Sequence, residues 1–535
     1  MSVHFTSISP DNPIRDGAVQ SLLAGIKVEA RPEDLEDFHT LLAAVHDCAE
    51  FVDSLPDYQP RCDRFPRHDV HRALAEEQVL GHAWAHRCVI RGAESGGTLA
   101  GKTVSVKDNI AVEGVPQLYG TDAFPPWTPT SDATIVRRVL ENGATILGTS
   151  TCENLCHSTS SFTNAQGSVD NPYAPGYSAG GSTSGGAALV GAGFVDITLG
   201  ADQGGSIRVP SSLCGCVGLK PTHGLVPYSG ISSGDALNDH AGPITRSVYD
   251  AALVLDAICG YDGMDDRGLA APMPGSTRFA ASLAESPGSL DGIRIGLLKE
   301  GFDRPGIDPD VCKSVRYAAE QYGRLGATVE EVSVPDHLLG PHVWTIQQRI
   351  AGAMNLLGTA HGRQGLQPTG LELARLPWTS ESFQKCFPST QNVIINGLYL
   401  TSQFPGLYYK TINIARRLRD AFEAVFGEYD VLIMPTTPTV APPHGKRSTP
   451  LESLRPSMGL TMNTAIFNIT GQPAISIPVG FAPSIFDRSV RLPVGMQIVS
   501  GIGSDDKVLQ VAHAWESTFD WQAKQAPRRG PTSVL

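Results

Sequence analysis

Apolar residues recur three and four positions apart over residues 19–26 and 35–52, which predicts two amphipathic helices at the start of the chain. Pro56, Pro60 and Pro66 interrupt the spacing, because proline lacks a backbone N–H and clashes inside a helix. The helical spacing returns over residues 70–90 and predicts a third helix carrying His71, His82 and His86. A polar, glycine-containing junction over residues 91–97 follows, so a helical N-terminal domain is expected over residues 1–94. From Leu99 the texture changes. The alternation over residues 99–106 predicts a half-buried strand that ends at Lys107. Residues 134–142 read as a helix stopped by Gly143, and residues 144–148 as a strand. Strands are expected over residues 195–200, 216–219, 293–298 and 327–334, and helices over residues 248–258 and 308–325. Strands alternating with helices predict an α/β layered sheet.

Residues 335–428 break that rhythm. They are aromatic and polar and follow neither period cleanly, with Trp344, Trp378, Phe383, Phe387, Tyr399, Phe404, Tyr408 and Tyr409 among them. Strand patterning resumes at residues 431–434 and 474–479, and a helix over residues 505–517 closes the pattern. The polar stretch 482–491 reads as an extended surface hairpin. The expected organisation is therefore 1–94 helical, 95–334 core, 335–428 variable and mostly helical, and 429–535 the return of the core.

Composition narrows the function without naming it. The 535 residues carry a formal net charge of −13 and no basic block, which argues against nucleic acid and anionic membrane surfaces as partners. No apolar run approaches the ~18 residues a membrane span needs. The first residues lack the charged and apolar regions of a secretory signal, so the cytoplasm is expected. The ten cysteines are scattered and are expected to be reduced. Neither Cys152/Cys156/His157 nor Cys214/Cys216 has a second half at zinc-like spacing, and His82 and His86 lack a third ligand, so no metal is expected.

The most informative stretch runs from Tyr177 to Lys220, where Gly180-Gly181-Ser182 and Gly204-Gly205-Ser206 form two glycine pairs, each followed by a serine. Both flanks are apolar, which excludes a flexible linker. Neither GxxxxGK[ST] nor a strand–GxGxxG–helix unit is present, which excludes the common phosphate loops. Two tight turns that each present a serine suit the placing of hydroxyls and backbone N–H groups around one reacting atom.

The run GGSTSGG, then GADQGGSIRVPSSLCG, then VGLKPT, closely resembles the amidase signature family. The resemblance extends from about Leu99 to Thr518. CENLC (152–156), GLVPYSG (224–230) and DHAGPITRS (239–247) resemble the bacterial amidases that accompany nitrile hydratases. The resemblance implies an amidase signature fold, with a mixed central sheet covered by helices and an N-terminal helical segment. It implies a Ser–cis-Ser–Lys hydrolase in which Ser206 is the nucleophile, Ser182 the bridging serine after a cis bond, and Lys107 the base. It implies an oxyanion hole from the N–H groups of Gln203, Gly204, Gly205 and Ser206, and an acyl pocket lined by Cys156, His157 and Ser158. Asp202 and Arg208 are expected to hold the turn rather than to react, and His240 to support the site. The variable region would shape the substrate pocket, and the N-terminal helices would assist a homodimer. No cofactor is implied, and the partner is a small-molecule amide.

Elementary chemistry agrees with these assignments. A serine hydroxyl is a weak nucleophile until a base takes its proton, and Ser–Lys pairs are one variant of triad logic. A lysine acts as a base only when neutral, a form that burial favours. Two other readings use the same residues: the glutaminase subunit of a tRNA amidotransferase, and an esterase or carbamate hydrolase.

Overall fold

The structure is a computed structural model that describes residues 8–60, 65–285, 288–360 and 362–522. By internal contacts it divides into two units, Met1–Arg61 and Cys62–Leu535. The first unit holds two helices where the apolar spacing puts them, α1 (Ala18–Ala24) and α2 (Leu35–Asp53). Asn12 ties its own segment to α2, donating from Nδ2 to Ala43 O at 2.8 Å and to Asp47 Oδ1 at 2.6 Å.

In the second unit, fourteen strands are described: β1 (Arg67–Arg72), β2 (Trp84–Arg91), β3 (Thr103–Lys107), β4 (Thr145–Ser150), β5 (Asp170–Asn171), β6 (Ala174–Ser178), β7 (Ile197–Asp202), β8 (Val217–Lys220), β9 (His240–Thr245), β10 (Arg294–Leu298), β11 (Thr328–Val332), β12 (Val431–Pro435), β13 (Ala474–Pro483) and β14 (Arg491–Val499). Apart from the small β5–β6 ribbon they form one sheet in the order β1-β2-β4-β3-β7-β9-β8-β13-β14-β12-β10-β11. It is mixed: β3 runs parallel to β4 and β7, and β10 to β11 and β12, while the other pairs are antiparallel. Helix α3 (Thr134–Glu141) leads into β4, and α4 (Ser184–Ala192), α5 (Arg208–Cys214) and α6 (Val248–Ile258) follow β6, β7 and β9 within a few residues. The expected α/β architecture, a mixed sheet covered by helices, is the one observed.

The helix expected over residues 70–90 does not form. Those residues supply β1 and β2, which extend the sheet beyond β4. Leu80 and Gly81 take φ of 50° and 76°, which ends any helix between them. Residues 84–91 also bury alternate sides once paired with β4, so an available sheet edge overrides a local helical spacing. His82 therefore precedes a strand and His86 lies in it, and the two do not share a helix face. Burial, with Arg72 and His71 nearby, pushes His86 down to about 4. Among the described residues, no group of three His, Cys, Asp or Glu side chains is arranged to hold a metal ion, and no helix is long and apolar enough to cross a membrane.

Residues 335–428 are largely helical, with helices Gly340–Leu356, Thr369–Ala374, Ser380–Lys385, Pro388–Gln403 and Leu407–Phe426. β13 and β14 pair out to Pro483 and Arg491, with Ile485 and Phe486 exposed at the tip; this is the extended hairpin. One consequence of the sheet order matters most for function. β3 and β7 are parallel neighbours, with Val106 opposite Leu199, so their C-terminal ends reach the same edge. That edge receives Lys107 from one strand and the turn containing Ser206 from the other.

Candidate active site

Lys107 is fully buried at the end of β3. Its Nζ donates to Ser182 Oγ at 2.8 Å and to Ala201 O at 3.3 Å. Ser182 is also fully buried, and the Gly181–Ser182 bond is cis. The loop holding it is packed too tightly for a side chain at 181: a Cβ there would sit 2.7 Å from Glu153 Cγ. Glu153 is in turn fixed by Thr163 N and Ser184 Oγ, which donate to its carboxylate at 2.9 and 2.8 Å.

Ser206 lies in the turn between β7 and α5, 7% exposed. Thr183 N donates to Ser206 O at 3.3 Å, which joins the two glycine–serine turns directly. Below the turn, Asp202 gathers its backbone: Gly205 N and Ile207 N donate to its carboxylate at 2.7 and 3.1 Å. Arg208 completes the clamp with a fully buried ion pair to Asp202 at 2.9 Å and bonds to Thr464 O, Gln497 Oε1 and Asn468 Oδ1. Burial would raise the Asp202 carboxyl, but the Arg208 guanidinium and Asn468 hold it well below the usual carboxylate range. The holding role expected for Asp202 and Arg208 is the one their contacts describe. His240 joins the same network through a 3.4 Å contact with Asn468 Nδ2.

The direction of the turn's N–H groups follows from where its carbonyls are tied. In a trans peptide the C=O of one residue and the N–H of the next point opposite ways. Gln203 O accepts from Trp344 Nε1 at 2.7 Å and Gly204 O from Thr464 Oγ1 at 2.6 Å. The N–H of Gly204 thus points away from Trp344, and that of Gly205 points to Asp202. This corrects one expectation: Gly205 N–H is committed to Asp202 Oδ1, so it is not an open donor. Among the described residues, the N–H groups of Gln203, Gly204 and Ser206 meet no protein acceptor.

Cys156 and His157 line a cavity of about 30 Å³ together with Tyr119, Gln203, Gln348 and Arg375. It shares Ser233 and Asn355 with a larger cavity of about 530 Å³ that reaches Arg267, Arg363 and Tyr408. Ser158 does not line the small cavity; its hydroxyl pairs with Ser160 Oγ at 2.8 Å. Burial pushes the Cys156 thiol up, but Cys152, Lys107 and Ser182 together bring it down to about 6. Burial beside Arg349 and Arg375 pushes His157 down to about 3, so its ring stays neutral and is a poor proton carrier near pH 7. Asp108 lies in the turn after β3, where its Oδ2 accepts from Leu118 N and Tyr119 N at 3.0 and 2.7 Å.

No sequence pattern points to the parts that Trp344, Thr464, Asn468 and Glu153 play here. Each reaches the turns from a distant segment or acts through packing, and no spacing signals that. The two cavities belong to the same category, because part of each wall comes from the unphased region, Gln348 to Arg375 and Tyr408, meeting loops from residues 119–267.

The chain matches the amidase family model over residues 60–509. It is similar to an enantioselective amidase of Rhodococcus rhodochrous, 38% identical over 78% of this chain and 80% of that protein. It is also similar to a glutamyl-tRNA(Gln) amidotransferase component of Synechococcus sp. (strain RCC307), 33% identical over 84% of this chain and 90% of the relative. Among solved structures, the native peptide amidase of Stenotrophomonas maltophilia superposes with a TM-score of 0.63 at 27% identity, covering 79% of this chain and 83% of that one. The chain belongs to the amidase signature family and is a hydrolase acting on amide carbon–nitrogen bonds.

Proposed function

We propose that the protein cleaves a small carboxylic acid amide to the acid and ammonia or an amine, through an acyl-enzyme on Ser206. The observation that carries the reading is the buried Lys107 Nζ–Ser182 Oγ hydrogen bond of 2.8 Å, beside the turn that presents Ser206. Ser206 Oγ attacks the amide carbonyl, and its proton passes through Ser182 to Lys107. The developing oxyanion accepts from the open N–H groups of Gln203, Gly204 and Ser206, each worth about 3–4 kcal/mol of barrier in comparable sites. Lys107 returns the proton through Ser182 to the leaving nitrogen. Water then attacks the ester, with the same relay taking its proton, and the acid departs. Each proton the hydrolysis moves is accounted for by Lys107, Ser182, Ser206 and water. The reading also carries a cytoplasmic homodimer, on the family resemblance alone.

The test is ammonia or amine release from aliphatic amides, aryl amides and anilides, with Ser206→Ala alongside. Wild-type turnover and a loss of ~10⁴-fold or more in kcat for the variant are expected, together with a fluorophosphonate adduct on Ser206 by mass spectrometry. Turnover that survives Ser206→Ala would sink the assignment. The amidotransferase relative favours a second reading, in which the chain is the glutaminase component of a larger complex. Amide hydrolysis by the purified chain without partner proteins argues against it, and dependence on added partners argues for it. Matched esters and carbamates in the same assay address the remaining rival.

A further inference from the structure

The small cavity beside the nucleophile turn has a one-sided wall. Gln348, 7% exposed, and Arg375, 4% exposed, both line it. Among the described residues, Gln348 Nε2 and Arg375 Nε are buried donors that meet no acceptor. Arg375 Nη2 is ion-paired with Glu372 outside hydrogen-bonding geometry, and Nε has no such partner among the described residues. Arg349 stands near enough, with Arg375, to depress the neighbouring His157. Glu372 is the carboxylate paired here, and it is already engaged by Arg375. Native proteins rarely leave buried donors without an acceptor, so such donors require an explanation. Two of them on one pocket, beside a reacting centre, ask for a shared acceptor from outside the chain.

The larger cavity differs. Its charged groups are mutually paired: Asp265 with Arg267 at 2.8 Å, Asp266 with Arg363 at 3.1 Å, and Asp235 with the Tyr408 hydroxyl at 2.9 Å. It offers volume, and the polar atoms it leaves unmet among the described residues, Arg363 Nε, Asp266 Oδ1 and Ser229 Oγ, mix donor and acceptor. The small cavity offers unmet donors and, at about 30 Å³, space for a group about the size of a water molecule.

We propose that Gln348 Nε2 and Arg375 Nε form a specificity subsite for a hydrogen-bond-accepting oxygen that the substrate carries beyond its scissile amide, a carboxylate or a second carbonyl. This rests on the acyl-enzyme reading at Ser206. An acceptor there takes a charge-assisted bond from the guanidinium, and an apolar group of the same shape leaves both donors buried and unmet.

The experiment compares kcat/KM within two isosteric pairs: malonamate against 3-methylbutanamide, and succinamate against 4-methylpentanamide. Malonamide and succinamide serve as the neutral-carbonyl arm. The wild type is expected to favour the oxygen-bearing member of at least one pair by ~10–100-fold, chiefly through KM. Gln348→Met and Arg375→Met should each bring that ratio towards one, and Gln348→Glu should invert it for the carboxylates. The ratio is taken within one preparation, so a partly unfolded variant still reports it. No preference in the wild type for either oxygen class at either spacing overturns the subsite. So does a preference that all three variants retain. Failure of the underlying reading looks different, because turnover of every amide would then survive Ser206→Ala.

Discussion

The turn that carries Ser206 and the helical wall that faces it are built on opposite principles. Beneath the turn, the polar groups satisfy one another: Asp202, Arg208, Asn468 and Gln497 form a closed, fully buried network. Across the cleft, the wall from Gly340–Leu356 and its neighbours carries buried donors with no acceptor among the described residues. Geometry for bond breaking has to exist before the substrate arrives, so it is locked from within. Recognition is completed by the substrate, so its polar groups wait. The difference implies that damage to the first region costs fold and rate together, and that damage to the second redistributes substrates.

The largest effect expected from breaking this contrast is at Arg208. Arg208→Met leaves the Asp202 carboxylate buried without its cation, which costs about 3–5 kcal/mol of stability, read as the shift in a denaturant midpoint. Asp202 is held low, so its favourable contribution exists above the unfolded carboxyl's range and is lost as pH falls through its depressed folded value. The variant should lose that acid-side dependence as well. An unshifted midpoint would mean that the network is not what supports the turn.

The larger cavity gives the opposite sign. Burial, with Asp239 close by, pushes Asp235 up to about 7 from an ordinary 3.8. A raised carboxyl contributes stability that is full below the unfolded value and is lost as pH rises towards the folded value. The wild type should therefore lose on the order of 2–4 kcal/mol between pH 4 and pH 7.5 from this group. Asp235→Asn should flatten that decline, as measured by chemical denaturation across the range. A decline equally steep in the variant would remove Asp235 as its source.

How much of this contrast can be read from the chain follows from the distances in sequence over which each part is built. Ser182 and Ser206 sit in glycine-marked turns, and Lys107 ends an alternating run, so local pattern reaches all three. The order of the sheet is less accessible: alternating strands and helices predict a layered sheet, but the meeting of β3 and β7 at one edge is a matter of pairing. Residues 70–90 depart from expectation where a helical spacing competes with a free sheet edge, a contest decided by tertiary pairing that no local window contains. The commitment of Gly205 N–H to Asp202 depends on the backbone's direction, which composition does not carry. Gln348 and Arg375 meet only because two helical segments of an unphased region converge on the turn.

The seam between the two regions is Gly204 against Trp344. A Cβ at 204 would fall 2.3 Å from Trp344 Cζ2, while Trp344 Nε1 holds Gln203 O. Gly204→Ala must displace the indole, at a cost of about 1–3 kcal/mol, and it tilts the donor at 204 with it. A fall in kcat larger than the stability change alone produces is expected, from steady-state rates and thermal midpoints of the same preparations. If Trp344 serves only as packing, the two effects should match instead.

The smallest expected effect is at His157, and it separates the regions most cleanly. This histidine lies on the cavity, directly after the Asn154–Cys156 turn and beside Arg349 and Arg375. Its position invites an acid–base role. Burial and the two guanidinium groups push it down to about 3, so between pH 5 and pH 9 it neither gains nor loses a proton. His157→Gln keeps a polar side chain of similar reach. It should leave the shape of the kcat–pH profile over that range unmoved, whatever it does to KM. A titration step that disappears from the profile in the variant would put His157 among the groups that move protons, and the division between a self-contained turn and a waiting wall would fail at that residue.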